Sequence, residues 1–163
     1  MMALNRSFTV GLISDTHGLL RPEAVVALRG SDYIVHAGDI GSPDILAALS
    51  ALAPLTVIRG NNDRDAWAGR LPETEVLAVG EDSIYVIHNL AGLALDPAAA
   101  GFRVVVSGHS HRPGWREENG VLYVNPGSAG PRRFALPVTV GQLVVARGRI
   151  RPQLFELHIE DGG

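Results

Sequence analysis

Apolar residues along this chain come in short runs, each stopped by a cluster of glycine, proline and small polar residues. Val10 to Ser14 is such a run and predicts a buried strand, and Pro22 to Leu28 follows with helix formers behind a proline at the first helical position. Tyr33 to His36 repeats the strand signal. Ser42-Pro43-Asp44 then sets a capping serine, a proline and an acid at the head of the apolar stretch Ile45 to Leu52, a second helix. Leu55 to Arg59 predicts a third strand. The N-terminal part of the chain therefore reads βαβαβ, a pattern that demands a parallel sheet with right-handed crossovers.

From Glu75 onward strands follow strands. Glu75 to Val79 and Ser83 to His88 flank Gly80-Glu81-Asp82 and predict a hairpin, and Phe102 to Ser107 is a further apolar run. Asn119-Gly120, between Trp115 to Glu118 and Val121 to Val124, is a strong hairpin signal because both turn positions need positive φ. Val138 to Ala146 and Ile150 to Leu157 flank Arg147-Gly148-Arg149 and predict a third hairpin. The alanine-rich stretch Ala91 to Ala100 predicts one short helix, and the Asp161-Gly162-Gly163 end reads as frayed. The chain has 163 residues, 46% of them apolar, which is one core of ordinary size. Residues 1–163 are read as a single domain.

Composition narrows the chemistry more than the size does. The fourteen basic residues are all arginine, so no mechanism that needs a lysine amine is open to this chain. There is no cysteine, which excludes a thiol nucleophile, disulfides, thiolate zinc sites and iron–sulfur clusters. A formal net charge of -3 lacks the basic bias of a dedicated nucleic-acid binder, so nucleic acid is not an expected partner. Phe8 to Ile13 is short and runs straight into Ser14-Asp15-Thr16-His17, unlike a signal peptide, and no segment approaches the roughly 20 apolar residues of a membrane span. A cytoplasmic protein is expected.

The informative feature is what stands at the ends of the strands. Asp15 and His17 follow the first, Asp39 the second within His36-Ala37-Gly38-Asp39, and Asn61 the third within Gly60-Asn61-Asn62-Asp63. His88 closes the first hairpin, and His109 and His111 follow Phe102 to Ser107 within Gly108-His109-Ser110-His111. Side chains at the carboxyl ends of strands in an open α/β sheet converge on one crevice. Gly38, Gly60 and Gly108 are expected to let the backbone turn sharply there. Mixed imidazole and carboxylate donors suit a transition metal rather than a calcium cage. The set exceeds what one such ion needs, and it fits two ions about 3.5–4 Å apart that share a carboxylate.

This ordered set resembles the calcineurin-like metallophosphoesterases, in particular the small phosphodiesterases of the YfcE type. The matching motifs are SDTHG at 14–18, HAGD at 36–39, GNND at 60–63, IHN at 87–89, GHSH at 108–111 and NPGS at 125–128 followed by Pro131-Arg132. The resemblance implies an α/β fold, a four-layer αββα sandwich of two mixed sheets flanked by helices. It implies one metal held by Asp15, His17 and His111, a second held by Asn61, His88 and His109, and Asp39 bridging them. The cofactors it implies are two divalent transition-metal ions, manganese foremost, with nickel, iron, cobalt or zinc as alternatives. The implied activity is phosphodiester hydrolysis on a small phosphate-ester substrate by a metal-bridging hydroxide. The alternatives are a phosphomonoesterase with the same core, and a catalytically weak metal-binding scaffold like the retromer subunit. Self-association through sheet edges is known in the family, without residues to place it here.

Three residues outside the ligand set are candidates for the site. Asn62 stands where larger members carry a proton-donating histidine; an amide cannot act as a general acid, so good leaving groups are expected to be favoured. Asp63 resembles an orienting acid, with an Asx turn as the alternative. Arg132 is a candidate contact for a phosphate oxygen. Asn89 replaces the usual glycine beside His88, and the short His88 to Phe102 segment implies an open site. His36 reads as a hydrogen-bonded core histidine, Asn125 and Ser128 as a loop near the site, and Trp67 and Trp115 as packing residues. Arg147, Arg149 and Arg151 read as a solvated turn, and His158 as a surface residue.

Overall fold

A computed structural model of the chain describes residues 6–133 and 135–159, so the frayed end expected at Asp161 to Gly163 lies outside the described residues. The N-terminal apolar run forms β1 (Ser7–Ile13), followed by α1 (Pro22–Leu28), β2 (Tyr33–His36), α2 (Pro43–Ser50) and β3 (Leu55–Val57). β1 pairs with β2, and β2 with β3, in parallel, as the βαβαβ pattern requires. α2 begins where its sequence dictates: the Asp44 N–H donates to Ser42 Oγ at 3.2 Å, and Pro43 sits where no amide donor is needed.

The second half supplies β4 (Thr74–Val79), β5 (Asp82–Ile87), β6 (Val104–Val106), β7 (Gly114–Glu118), β8 (Val121–Asn125), β9 (Thr139–Ala146) and β10 (Arg149–Glu156). Two five-stranded mixed sheets result, ordered β10-β9-β1-β2-β3 and β4-β5-β6-β8-β7. The last hairpin thus returns to the first sheet, with β9 antiparallel to β1. Its turn, Arg147-Gly148, and the β7–β8 turn, Asn119-Gly120, have positive φ at both positions (46° and 76°; 53° and 78°), matching the hairpin signal.

Period-two alternation divides the core. Val10 and Leu12 of β1 point between the sheets, where they join Val35, Ile84, Val86, Val104, Val106, Leu122 and Val124. Ile13 and Ile34 point the other way, onto Ala24 and Leu28 of α1 and Ile45 and Leu49 of α2. Gly11 shares that face because a Cβ there would stand 2.7 Å from Leu28 Cδ2, so its absence lets α1 lie close to the sheet.

The expected αββα layering is full on the first sheet and thin on the second. There Ile87, Val105 and Val121 are covered by Leu90, Leu93 and the half-buried Tyr85 and Tyr123 rather than by a long helix. The helix expected over Ala91 to Ala100 is instead two fragments, a 3-10 turn at Leu90–Gly92 and a one-turn α3 (Pro97–Ala100). Asp96 explains the break: its Oδ1 accepts the Ala98 and Ala99 N–H groups at 3.1 and 3.4 Å, starting a new helix that Gly101 ends at φ 87°. Trp115 also departs from expectation, being 56% exposed, on β7, an edge strand beyond which no further strand pairs among the described residues. Trp67 packs against the helix-side core as expected. Among the described residues no helix is long and apolar enough to cross a membrane.

Candidate metal centre

The loops leaving β1, β2, β5 and β6 meet at one end of the two sheets. Asp15, on the first loop, has one satisfied oxygen: Oδ2 accepts Ser14 Oγ–H at 2.7 Å and the His109 N–H at 3.0 Å. Its Oδ1 is buried without a hydrogen-bond partner and stands 3.4 Å from His111 Nε2, 3.8 Å from His17 Nε2 and 3.9 Å from His88 Nε2. Asp39, on the second loop, accepts the Asn62 N–H at Oδ1 (2.9 Å) and Asn62 Nδ2–H at Oδ2 (3.0 Å). That Oδ2 lies 3.3 Å from His88 Nε2 and 3.7 Å from His17 Nε2.

Two donor groups emerge, Asp15 with His17 and His111, and Asp15 with Asp39 and His88, each with ligand atoms within 4.8 Å of one another. Asp15 belongs to both groups, whereas Asp39 belongs to the second, with its Oδ2 also 3.7 Å from His17 Nε2. Asn61 and His109 sit at its exposed rim, with His109 Nδ1 3.2 Å from Asn61 Oδ1 and the His109 ring 5.2 Å from that of His88. The structure thus brings all seven candidate ligands together at one place.

The backbone is bent to achieve this. Asp15, His17, Asp39, His109 and His111 all have φ between 45° and 70°, a left-handed conformation that costs an L residue roughly 1–2 kcal/mol. Among the described residues the other non-glycine positive-φ positions are the hairpin residues Asn119 and Arg147, so the strain is concentrated at the cluster. The glycines act differently from expectation. Gly38 has φ 102°, but Gly60 and Gly108 are not in the positive-φ region. Their role is close approach: a Cβ on Gly60 would strike the Asp39 carboxylate, and one on Gly108 would stand 2.6 Å from Asp15 Oδ2.

Electrostatics follow from burial and these contacts. Burial pushes the Asp39 carboxyl up, but the His88 imidazole beside it and the Asn62 N–H groups outweigh this and hold the group well below the carboxylate range. Burial pulls His88 down, and the neighbouring Asp39 carboxylate together with the bond to the Ala37 carbonyl reverses this, so His88 is raised. His88 Nδ1 donates to Ala37 O at 2.7 Å, which leaves the Nε2 lone pair facing the cluster, the orientation a ligand needs. His111 is lowered, by burial first and by the Arg133 charge against the opposing pull of Asp15.

His36 is buried and its pKa falls to about 3, mainly through burial. Its ring joins two loops: Nδ1 accepts the Gly38 N–H at 3.1 Å and Nε2 lies 3.0 Å from Thr16 Oγ1, which itself donates to the Ile40 carbonyl at 2.8 Å. Asp63 pins a neighbouring pair of loops. Its Oδ1 accepts from the Ile40 and Gly41 N–H groups (2.9 and 3.2 Å) and its Oδ2 from Gly60 N–H (2.8 Å), so it positions the loops from inside and is not aimed into the cluster. Asn125 Nδ2 donates to the Gly108 carbonyl at 3.0 Å, and Ser128 Oγ to the Asp15 carbonyl at 3.0 Å, which makes the NPGS loop a brace for both ligand loops.

Arg132 is exposed, with no hydrogen bond or ion pair among the described residues, while the charge of its neighbour Arg133 is felt at His111. A Pro-Arg-Arg run does not say which arginine's charge reaches His111, and both arginines are exposed. Sequence reasoning passed over Thr16, whose partners His36 and the Ile40 carbonyl lie on and beyond another strand, and over Ser14, which holds the adjacent Asp15. Arg149, Arg151 and His158 are exposed, as expected.

A cation fits this cluster. Asp15 Oδ1, His17 Nε2 and His88 Nε2 face one another, buried without hydrogen-bond partners, each a cost of about 1–3 kcal/mol that a shared Lewis acid would remove, and His111 Nε2 lies 3.4 Å from the same Asp15 oxygen. Hard carboxylate and borderline imidazole donors suit divalent transition metals. Paired five-stranded mixed sheets with an Asp/His cluster at the carboxyl ends of their strands define the class of metal-dependent phosphoesterases. Residues 8–148 match the family model described as the calcineurin-like phosphoesterase superfamily domain. A probable metallophosphoesterase of Methanothermobacter thermautotrophicus is 39% identical over 139 residues, covering 78% of this chain and 81% of that protein.

The chain belongs to the calcineurin-like metallophosphoesterase family. Solved structures share its fold at lower identity. A novel archaeal phosphodiesterase aligns with TM-score 0.75 at 21% identity, over 90% of this chain and 99% of that one. Vacuolar protein sorting 29 from Cryptosporidium parvum aligns with TM-score 0.74 at 21% identity, over 93% and 98% of the two chains. The phosphoesterase YfcE from E. coli aligns with TM-score 0.64 at 20% identity, over 92% and 100%.

Proposed function

We propose that this chain is a single-domain, cytoplasmic phosphodiesterase that holds two divalent ions, manganese foremost, and cleaves small phosphate diesters. The observation that carries the reading is the convergence of three buried, partnerless atoms, Asp15 Oδ1, His17 Nε2 and His88 Nε2, with His111 Nε2 3.4 Å from the same Asp15 oxygen. In this reading Asp15, His17 and His111 hold one ion, Asn61, His88 and His109 the other, and Asp39 lies between. Ions bound there supply an activated water at neutral pH and offset charge on the phosphoryl oxygens. A diester preference draws support from the archaeal structural neighbour described as a phosphodiesterase.

The chain's own residues do the positioning. Asn62 clamps both oxygens of Asp39 with its backbone and side-chain N–H groups, so its amide is committed to that carboxylate. No protein acid then waits for the leaving oxygen, and diesters with good leaving groups are turned over fastest. The exposed rim formed by Asn61 and His109 leaves the substrate's side of the cluster open.

The test is hydrolysis of bis(p-nitrophenyl) phosphate and of p-nitrophenyl phosphate by metal-stripped protein titrated with Mn²⁺, Ni²⁺, Zn²⁺ and Mg²⁺, beside Asp39→Ala. Metal-dependent diester turnover that exceeds monoester turnover and disappears in the variant is expected. Faster monoester turnover turns the assignment to a phosphomonoesterase, and folded protein that binds two ions without turnover turns it to a scaffold.

A further inference from the structure

A trough of about 380 Å³ opens beside the cluster, between the segment after His88 and the edge hairpin β7–β8. That volume lies within the range of small-molecule pockets, roughly 300–1,000 Å³. One end is formed by His109 and Ser110 of the ligand loop, and Leu90, Tyr123, Arg116 and Arg112 continue the lining away from it. It is therefore continuous with the place where a phosphoryl group would be held.

Its surface has a particular chemistry. Arg116 and Tyr123 oppose each other in the β7–β8 register, and the Arg116 guanidinium lies over the Tyr123 ring at 4.5 Å from its centroid. Tyr123 is anchored in the small outer core, packed with Leu90 against Ile87, Val105 and Val121. Glu118, two residues along β7, pairs with the Arg116 guanidinium. The charge of Arg116 is thus balanced at its edge, while its side chain remains 56% exposed. A guanidinium placed over a ring can present its outer side as a stacking platform for a planar group. Arg112 adds an unbalanced positive charge, its side chain making no hydrogen bond or ion pair among the described residues.

We propose that this trough takes a planar aromatic ester group of the substrate, a nucleobase or aryl ring stacked on the Arg116–Tyr123 platform while the adjoining phosphate reaches the cluster. The proposal rests on the reading that the cluster acts on phosphate esters, and it narrows the substrate to esters with an aromatic half, of which a nucleotide diester is the natural example. The metal centre provides no such discrimination, since it meets only phosphoryl oxygens.

Calorimetric titration of Mn²⁺-loaded protein with thymidine 5′-monophosphate and with ribose 5-phosphate separates the base from the phosphate. The thymidine nucleotide is expected to bind about ten-fold tighter. Arg116→Ala removes that difference and leaves ribose 5-phosphate affinity unchanged; Arg116→Lys, which keeps the charge without the plane, removes most of it. Equal affinities in the unaltered protein, or a preference that survives Arg116→Ala, overturn the proposal. Hydrolysis of bis(p-nitrophenyl) phosphate run in parallel distinguishes the two readings. Base preference without hydrolysis leaves the trough assigned and removes the phosphoesterase reading, whereas hydrolysis without base preference does the reverse.

Discussion

Asn62 and His36 show how single side chains set this site without being ligands. Asn62 holds both Asp39 oxygens, so Asn62→Ala leaves the fold intact and lowers kcat for an aryl diester, or metal affinity, by roughly ten- to a hundred-fold. Steady-state kinetics beside a manganese titration checks this, and an unchanged pair of constants contradicts it. His36 must stay neutral, because its Nδ1 accepts the Gly38 N–H and has no room for a second proton. Its folded pKa of about 3 lies below the unfolded value of 6.5, so the unfolded chain binds the extra proton between them and stability falls as pH drops through that window. Between pH 7 and 5 this amounts to about 2 kcal/mol. His111, also lowered, acts in the same direction, and His88, raised, opposes it. Urea midpoints at pH 7 and 5 should differ less in His36→Asn than in the unaltered protein. A pH dependence identical in the two proteins contradicts the assignment.

The elements themselves were legible where local rules decide them. α1, β2 and the two-residue hairpin at Asn119-Gly120 follow from a proline start, a four-residue apolar run and a turn that needs positive φ twice. Asn119→Gly should therefore be near neutral, and Asn119→Val should lower stability by roughly 1–2 kcal/mol in a urea melt; equal effects of the two would show that the turn conformation is not what Asn119 supplies. The candidate ligands were legible for a related reason: each stands past a strand, and the strand pattern was readable. What sequence could not give is what depends on contacts distant in the chain. The split of Ala91 to Ala100 follows from the Asp96 cap overriding alanine propensity, and Trp115 is exposed on β7, beyond which no further strand pairs among the described residues, a fact of sheet order alone. The same holds at the site, where Gly60 and Gly108 are required by carboxylates 21 and 93 residues away rather than by their own φ.

At the scale of the whole molecule, two sheets bring loops from both halves of the chain to one end, and the bend of those loops costs stability that a bound cation returns. Five left-handed candidate ligands and three partnerless buried atoms facing one another form an arrangement that a bound ion would complete. Manganese at a hundred times its dissociation constant should then add about 2.7 kcal/mol, visible as a rise in Tm that EDTA reverses. The measurement that tests the central claim most directly is metal stoichiometry by calorimetry on EDTA-stripped protein and on Asp39→Ala. The account predicts two Mn²⁺ per chain in the unaltered protein and at most one tight ion when the Asp39 carboxylate is gone. A single ion in both proteins, or no binding at all, would contradict it.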